Sequence, residues 1–160
     1  MESQENVLWS GMLPEYLEMI WGPRENWNRQ PEKPSGPAPR VRAIEVVEMA
    51  RKMGIPKKKL IHALGFARGD IVRKAKSGAY LNERQSELFH GLREIVAIVD
   101  RYYGKRNDDL AFNAARWMGS YLGRRIAALG DKHASDYMRT LEGQEHVRNC
   151  ILAPFSGAYL

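Results

Sequence analysis

The sequence predicts an all-α protein, and three observations carry that prediction. After residue 40, apolar residues recur at spacings of three and four through most of the chain. No stretch alternates apolar with polar residues as a half-buried strand does, and no Asn-Gly or Asp-Gly pair offers a tight hairpin turn. Residues that start and stop helices punctuate the periodic runs: Pro56 and Asn82 at candidate starts, Gly54, Gly65 and Gly104 at candidate ends. The expected order is a helix-turn-helix bundle followed by a small helical domain.

Residues 1–21 form a first segment. In "LPEYLEMIWG" Pro14 suits a first turn, and Leu13, Tyr16, Leu17, Ile20 and Trp21 give one apolar face. So short a helix is marginal alone in water, which predicts that it docks on its own domain or on a dimer mate. Residues 22–40 hold five of the eight prolines, Pro23, Pro31, Pro34, Pro37 and Pro39, and read as an extended linker.

Residues 41–81 read as a helix-turn-helix region. "RAIEVVEMARKMG" is expected to bury Ile44, Val47, Met49 and Ala50 and to stop at Gly54. Pro56 opens "PKKKLIHALG", whose Leu60, Ile61 and Leu64 make an apolar stripe ended by Gly65. A third helix from Ala67 to Lys76 turns Ile71, Val72 and Ala75 inward. Residues 82–160 read as a second helical region. Its longest helix starts at Asn82, with Gln85 in capping-box register, and runs to Gly104 with Leu88, Leu92, Ile95, Val96, Val99 and Tyr103 as its core face. One or two helices follow, with Leu110, Ala114, Trp117 and Met118 as core candidates and Gly119 or Gly123 as breaks; a last helix covers "LEGQEHVRNCIL".

Composition narrows the class. A chain of 160 residues, 44% hydrophobic and 28% charged, suits an ordinary soluble domain with appendages. It holds no apolar run long enough for a membrane span, and "MESQENVLWS" lacks the order of a secretory signal, so a cytoplasmic location without membrane partners is expected. The single cysteine, Cys150, excludes an internal disulfide, and nothing argues for a thiolate metal site.

Charge is concentrated. From Arg40 to Lys76, eleven Lys or Arg face three acids, a net of +8 in a chain whose total is +6. One face meeting a polyanion accounts for this, and so does a solvated charged surface. On the first account the helix pair around Gly65-Phe66 is a DNA-binding helix-turn-helix. Lys57, Lys58 and Lys59 then suit backbone phosphates, Arg73 and Lys74 guanine edges or phosphates, and Arg68 either, with Lys76 a further DNA-binding candidate. Asp70 opposes phosphate, and would accept from a base amine or cap the helix start. A homodimer is expected, because one small helix-turn-helix buries too little DNA contact for tight specific binding.

The downstream half adds a motif series: "KSGAYLNERQS", "VDRYYG", "RWM" at Arg116 to Met118, "LGDKHASDYMRTLEG" with Leu129, Gly130, Asp136, Tyr137, Met138, Thr140 and Gly143 in register, and the ending "SGAYL". In these residues, over Ile44 to Leu160, the chain resembles the Xre/MbcA/ParS antitoxin family, whose helix-turn-helix precedes a C-terminal toxin-binding domain. It departs from the family pattern at Ala134, where Pro is usual, at Asp131, where a second Gly is usual, and in a longer segment between Trp117 and Leu129. The resemblance implies a type II antitoxin, a homodimer that binds its own operator DNA and neutralises a RES-domain, NAD-consuming toxin by occluding its active site. It implies no catalytic duty and no cofactor. It also implies that "APFSGAYL" enters the toxin's cleft, with Phe155 and Tyr159 as pocket-filling anchors, Gly157 allowing close approach, and the Leu160 carboxylate pairing with cations. The basic block alone supports a second reading, a stand-alone helix-turn-helix regulator.

Other chemistry finds weak footing. Asp131, His133, Ser135 and Asp136 contain nucleophile, base and orienter types, but local proximity is not a triad. His62, His90, His133 and His146 share no metal-ligand spacing. Trp117 and the Tyr102-Tyr103 pair read as core packing in preference to base-stacking platforms.

Overall fold

The computed structural model describes residues 39–104 and 112–155. The chain divides into two compact units, one of Met1–Gly36 with Asn149–Leu160, the other of Pro37–Arg148. The amphipathic segment 13–21, the linker as far as Ala38, Leu110, and Gly157, Tyr159 and Leu160 lie outside the described residues.

The described residues are mainly helical. Within Pro37–Arg148, α1 (Ile44–Met53), α2 (Lys57–Ala63), α3 (Arg68–Ser77), α4 (Glu83–Tyr103) and α5 (Ala114–Leu122) precede a two-stranded hairpin of β1 (Arg125–Ile126) and β2 (Lys132–His133). Short 3-10 turns at Ala127–Leu129 and Ala134–Tyr137 flank β2, and α6 (Leu141–Leu152) closes the series, crossing the boundary between the units.

α1 ends where the sequence requires, at Gly54, whose φ of 70° is the left-handed value glycine adopts without strain. Its buried face is Ala43, Val46, Ala50 and Met53. That corrects the expected Ile44 and Val47: Ile44 is 38% exposed and Val47 half-buried, because two helical phases one residue apart were both apolar. Ahead of α1, Val41–Ala43 lies against Ala79–Leu81 through an isolated antiparallel bridge, with the Leu81 N–H donating to the Val41 carbonyl (2.7 Å) and the Ala43 N–H to the Ala79 carbonyl (3.0 Å).

At seven residues α2 is too short to be helical by itself. Burial of Leu60 and Ile61 inside it and Leu64 just beyond holds it, each worth about 1.5–3 kcal/mol. Gly65, at φ 74°, reverses the chain into α3, where Ile71 is fully buried and Val72 and Ala75 only half so. α4 begins with the predicted capping box: Asn82 Oδ1 accepts from Gln85 N (2.8 Å), and Gln85 Oε1 accepts from Asn82 N (3.0 Å). Its core face is Leu88, Phe89, Leu92, Ile95, Val99 and Tyr102. Val96 and Tyr103, expected in the core, are half-buried on a neighbouring face.

α5 packs on both α1 and α4. Gly119, a candidate break, lies inside α5 because the Met53 carbonyl approaches so closely that a side chain there would collide with it. Gly123 is the residue that ends the helix. The hairpin corrects the expectation of no strand pairing. It pairs Arg125 with His133 and Ile126 with Lys132, and it turns through Gly130 and Asp131 at φ 69° and 60°. Two-residue strands are too short to show alternation. Thr140 starts α6, its Oγ1 accepting from Gly143 N (2.9 Å). In the other unit, α6 reaches Leu152 and continues into a 3-10 turn, Ala153–Phe155, with Ile151 and Phe155 buried.

Candidate nucleic-acid interface

α2 and α3 carry the seven cations that the sequence singles out. Lys57, Lys58 and Lys59 form the whole first turn of α2, all exposed. No acidic residue accompanies them, and cations at the positive end of a helix dipole are unfavourable by a few tenths of a kcal/mol each, about 0.3–1 at low ionic strength. The fold gains nothing from three lysines there, whereas an anion in front of them would. Arg68 opens α3 and is exposed, and Lys76, in its last turn, is exposed where the dipole favours a cation.

Arg73 and Lys74 part company. The Arg73 side chain is 76% exposed, with its guanidinium donating to Asp70 Oδ1 at 2.8 Å. The Lys74 side chain is 21% exposed and turned toward the start of α4, its Nζ reaching Asp70 Oδ2 (3.1 Å) and donating to Gln85 Oε1 (3.2 Å). Gln85 Nε2 completes the cluster by donating to Asp70 Oδ2 (3.1 Å). The Gln85 amide, then Lys74, hold the Asp70 carboxyl below its ordinary value. Asp70 therefore neither caps α3 nor stands free, but joins α3 to the capping box of α4. Gln85 was legible as a capping residue; its bonds to Asp70 and Lys74 of α3, fifteen and eleven residues upstream, were not.

One flank of this surface carries an aromatic residue that sequence reasoning missed. The Arg42 guanidinium lies 5.5 Å from the centre of the Tyr80 ring, and both residues are exposed. On the other flank, the Arg139 guanidinium donates to His62 Nε2 (3.0 Å), and its aliphatic stem covers Gly65 in the turn between α2 and α3.

The residues of the C-terminal motif series have structural work. Trp117 stacks between Tyr103 and Tyr121, at ring distances of 4.8 and 4.9 Å. Leu129 and Met138 are buried, and the Tyr137 hydroxyl donates to the Leu129 carbonyl (2.9 Å). Gly143 is required because the Tyr137 carbonyl occupies the space of a side chain. Gln144, buried, donates from Nε2 to the carbonyls of Leu88 (3.0 Å) and Met138 (3.1 Å), binding α6 to α4. His133, from the cluster that contains nucleophile and base types, is committed through Nδ1–H to the Gly123 carbonyl (3.0 Å). His90 donates to the Pro39 carbonyl (2.8 Å), and His146 meets Tyr137 edge to face. Among the described residues no three metal-ligating side chains converge. Of the tail residues, Phe155 is described and is 8% exposed. Burial pushes the Cys150 thiol up, away from thiolate chemistry. No helix among the described residues is long and apolar enough to cross a membrane.

Neither a family model nor a solved structure matches the chain. A curated protein does: the Prs ADP-ribosylating antitoxin of Sphingobium sp. (strain YBL2) is 25% identical over 119 residues, covering 74% of this chain and 75% of that protein. The chain is thus similar, across most of both lengths, to a protein named for an antitoxin role.

Proposed function

We propose that this chain is the antitoxin of a type II toxin–antitoxin pair, acting by binding and not by catalysis. The observation that carries the proposal is the similarity to an antitoxin over three quarters of both chains. ADP-ribosyl transfer draws its group from NAD, so the name of that relative agrees with a partner of the NAD-consuming RES class. In this reading a homodimer represses its own operon through the exposed cations Lys57, Lys58, Lys59, Arg68, Arg73 and Lys76. Lys74 holds α3 on α4. Lysines that the α2 dipole disfavours are the physical support for the DNA side.

The C-terminal residues occupy the toxin's cleft. Phe155, buried in the structure, anchors the start of that segment, and Gly157, Tyr159 and Leu160 enter the partner. The test is co-expression with the protein encoded beside it, using the full chain or a chain ending at Phe155, which keeps Ile151 and Phe155. Growth and cellular NAD are followed together. Rescue by the full chain that the shortened one fails to give supports occlusion by the tail. Equal rescue by both places neutralisation on the helical surface. A harmless neighbouring protein favours the stand-alone regulator.

A further inference from the structure

α4 shows a second face. Its core side is Leu88, Leu92, Ile95 and Val99, but Arg93, Val96, Ala97 and Asp100 follow one another at the i, i+3, i+4, i+7 spacing that lines up a single stripe, with Arg93, Ala97 and Asp100 exposed and Val96 half-buried. The stripe forms one wall of an open groove of about 550 Å³, with Met49 of α1 and Phe112 among the apolar residues of the others. None of the seven cations of α2 and α3 lines it.

The order of charge along the stripe is self-complementary. Arg93 and Asp100 stand seven residues apart, about 10.5 Å along the axis, with Val96 and Ala97 at the midpoint. If a second α4 lies antiparallel across a two-fold axis at that midpoint, Arg93 meets Asp100 of the other copy, Asp100 meets its Arg93, and Val96 meets its Ala97. A two-fold interface requires this reciprocity, in which residue i touches j and j touches i. A stripe with two like charges, or with the charges off centre, would not provide it. Ala97 at the centre is small enough to let two helices approach closely. Asp100 has no cation within ion-pair distance among the described residues, and Arg93 makes only a long contact with Glu45 (4.0 Å) and lies 5.9 Å from the Phe89 ring centre.

We propose that this face of α4, with Met49 and Phe112 beside it, is the surface on which a second copy of the chain docks, antiparallel about Val96 and Ala97. The proposal gives a location to the homodimer of the proposed function, and its test reads association alone, so it can fail while the antitoxin role stands. Sedimentation equilibrium on the full chain is compared with Arg93→Asp, Asp100→Arg, and an equimolar mixture of those two variants, with circular dichroism confirming the helical fold of each. The wild type is expected to dimerise at micromolar concentration. Each charge reversal sets like charges opposite one another twice and weakens the dimer by about tenfold or more. The mixture restores both attractive pairs and recovers the dimer, as an interface elsewhere on the molecule would not. Ala97→Glu, which places two carboxylates at the axis, gives an independent loss if either reversal impairs folding. A monomeric wild type overturns the assignment. So does a dimer that Ala97→Glu and the folded reversals leave unchanged, or a mixture of two folded variants that stays monomeric.

Discussion

The α2–α3 pair and the segment from α5 to the start of α6 are built on opposite terms. In the first, side chains extend outward: six of seven cations are exposed, and the lysines of α2 sit where their own helix disfavours them. In the second, backbone meets backbone. Gly119 admits the Met53 carbonyl, Gly143 admits that of Tyr137, and buried Gln144 spends its amide hydrogens on two further carbonyls. The difference teaches where substitution should be felt. The α5–α6 region answers to volume and the α2–α3 pair to charge.

The comparison breaks most visibly at the close approaches. Gly119→Val should destabilise the protein by about 1–3 kcal/mol or more, because the obstacle is backbone and cannot swing aside; urea unfolding measures it. Gln144→Ala should cost about 2–3 kcal/mol in the same assay, leaving a cavity and the Leu88 and Met138 carbonyls without the Gln144 amide. Lys57→Ala or Arg73→Ala should leave the unfolding midpoint nearly unchanged, yet weaken binding to the DNA upstream of the coding sequence. A phosphate contact is marked by a drop of about 1 in the slope of log K against log salt. Lys74→Ala sharpens the contrast inside the basic surface. It should lower stability slightly and alter DNA binding through the placement of α3, with a salt slope closer to that of the wild type than Arg73→Ala gives.

Smaller effects come from the cap and from pH. Asn82→Ala should cost about 1 kcal/mol, since it removes the acceptor for the Gln85 N–H. Asp70 has a folded-state value below its ordinary one, so its stabilising contribution is fully present above the unfolded value near pH 4. It is lost as pH falls through the lower folded value. Screening at this partly exposed site keeps the amount under about 1 kcal/mol. Asp70→Asn should therefore flatten the acid limb of a stability profile between pH 2 and 5 by no more than that.

What the sequence made legible follows from how local each signal is. The capping box of Asn82 and Gln85 lies within four residues and was readable, as were both ends of α6 and the Leu60, Ile61 and Leu64 stripe. The phase of α1 was not, because Val46 and Val47 are chemically alike and only packing against α5 chooses between them. Gly119 could be read as a helix breaker or as a close approach, and the Met53 carbonyl that decides it is 66 residues away in sequence. The hairpin escaped because its turn is Gly130-Asp131 and its strands are two residues each. On the candidate interface the cations were found, but the partition between Arg73 and Lys74 was not, since Gln85 sets it from another helix.

The contact between Gly119 and Met53 bears on how the molecule can be divided. α1 is the first helix of the basic region, and its last residue is seated against α5, so residues 41–81 cut free would expose the Ala50 and Met53 face to water. A fragment of that kind should expose sticky surface and lose helicity, and transplanting the basic helices onto another protein would have to bring α5 as well. In folding, the two regions should melt in one transition, with a rate limited by closing the long loop between α1 and α5. Gene fusions and truncations that respect the apparent motif boundary at residue 81 would separate halves that share a seam.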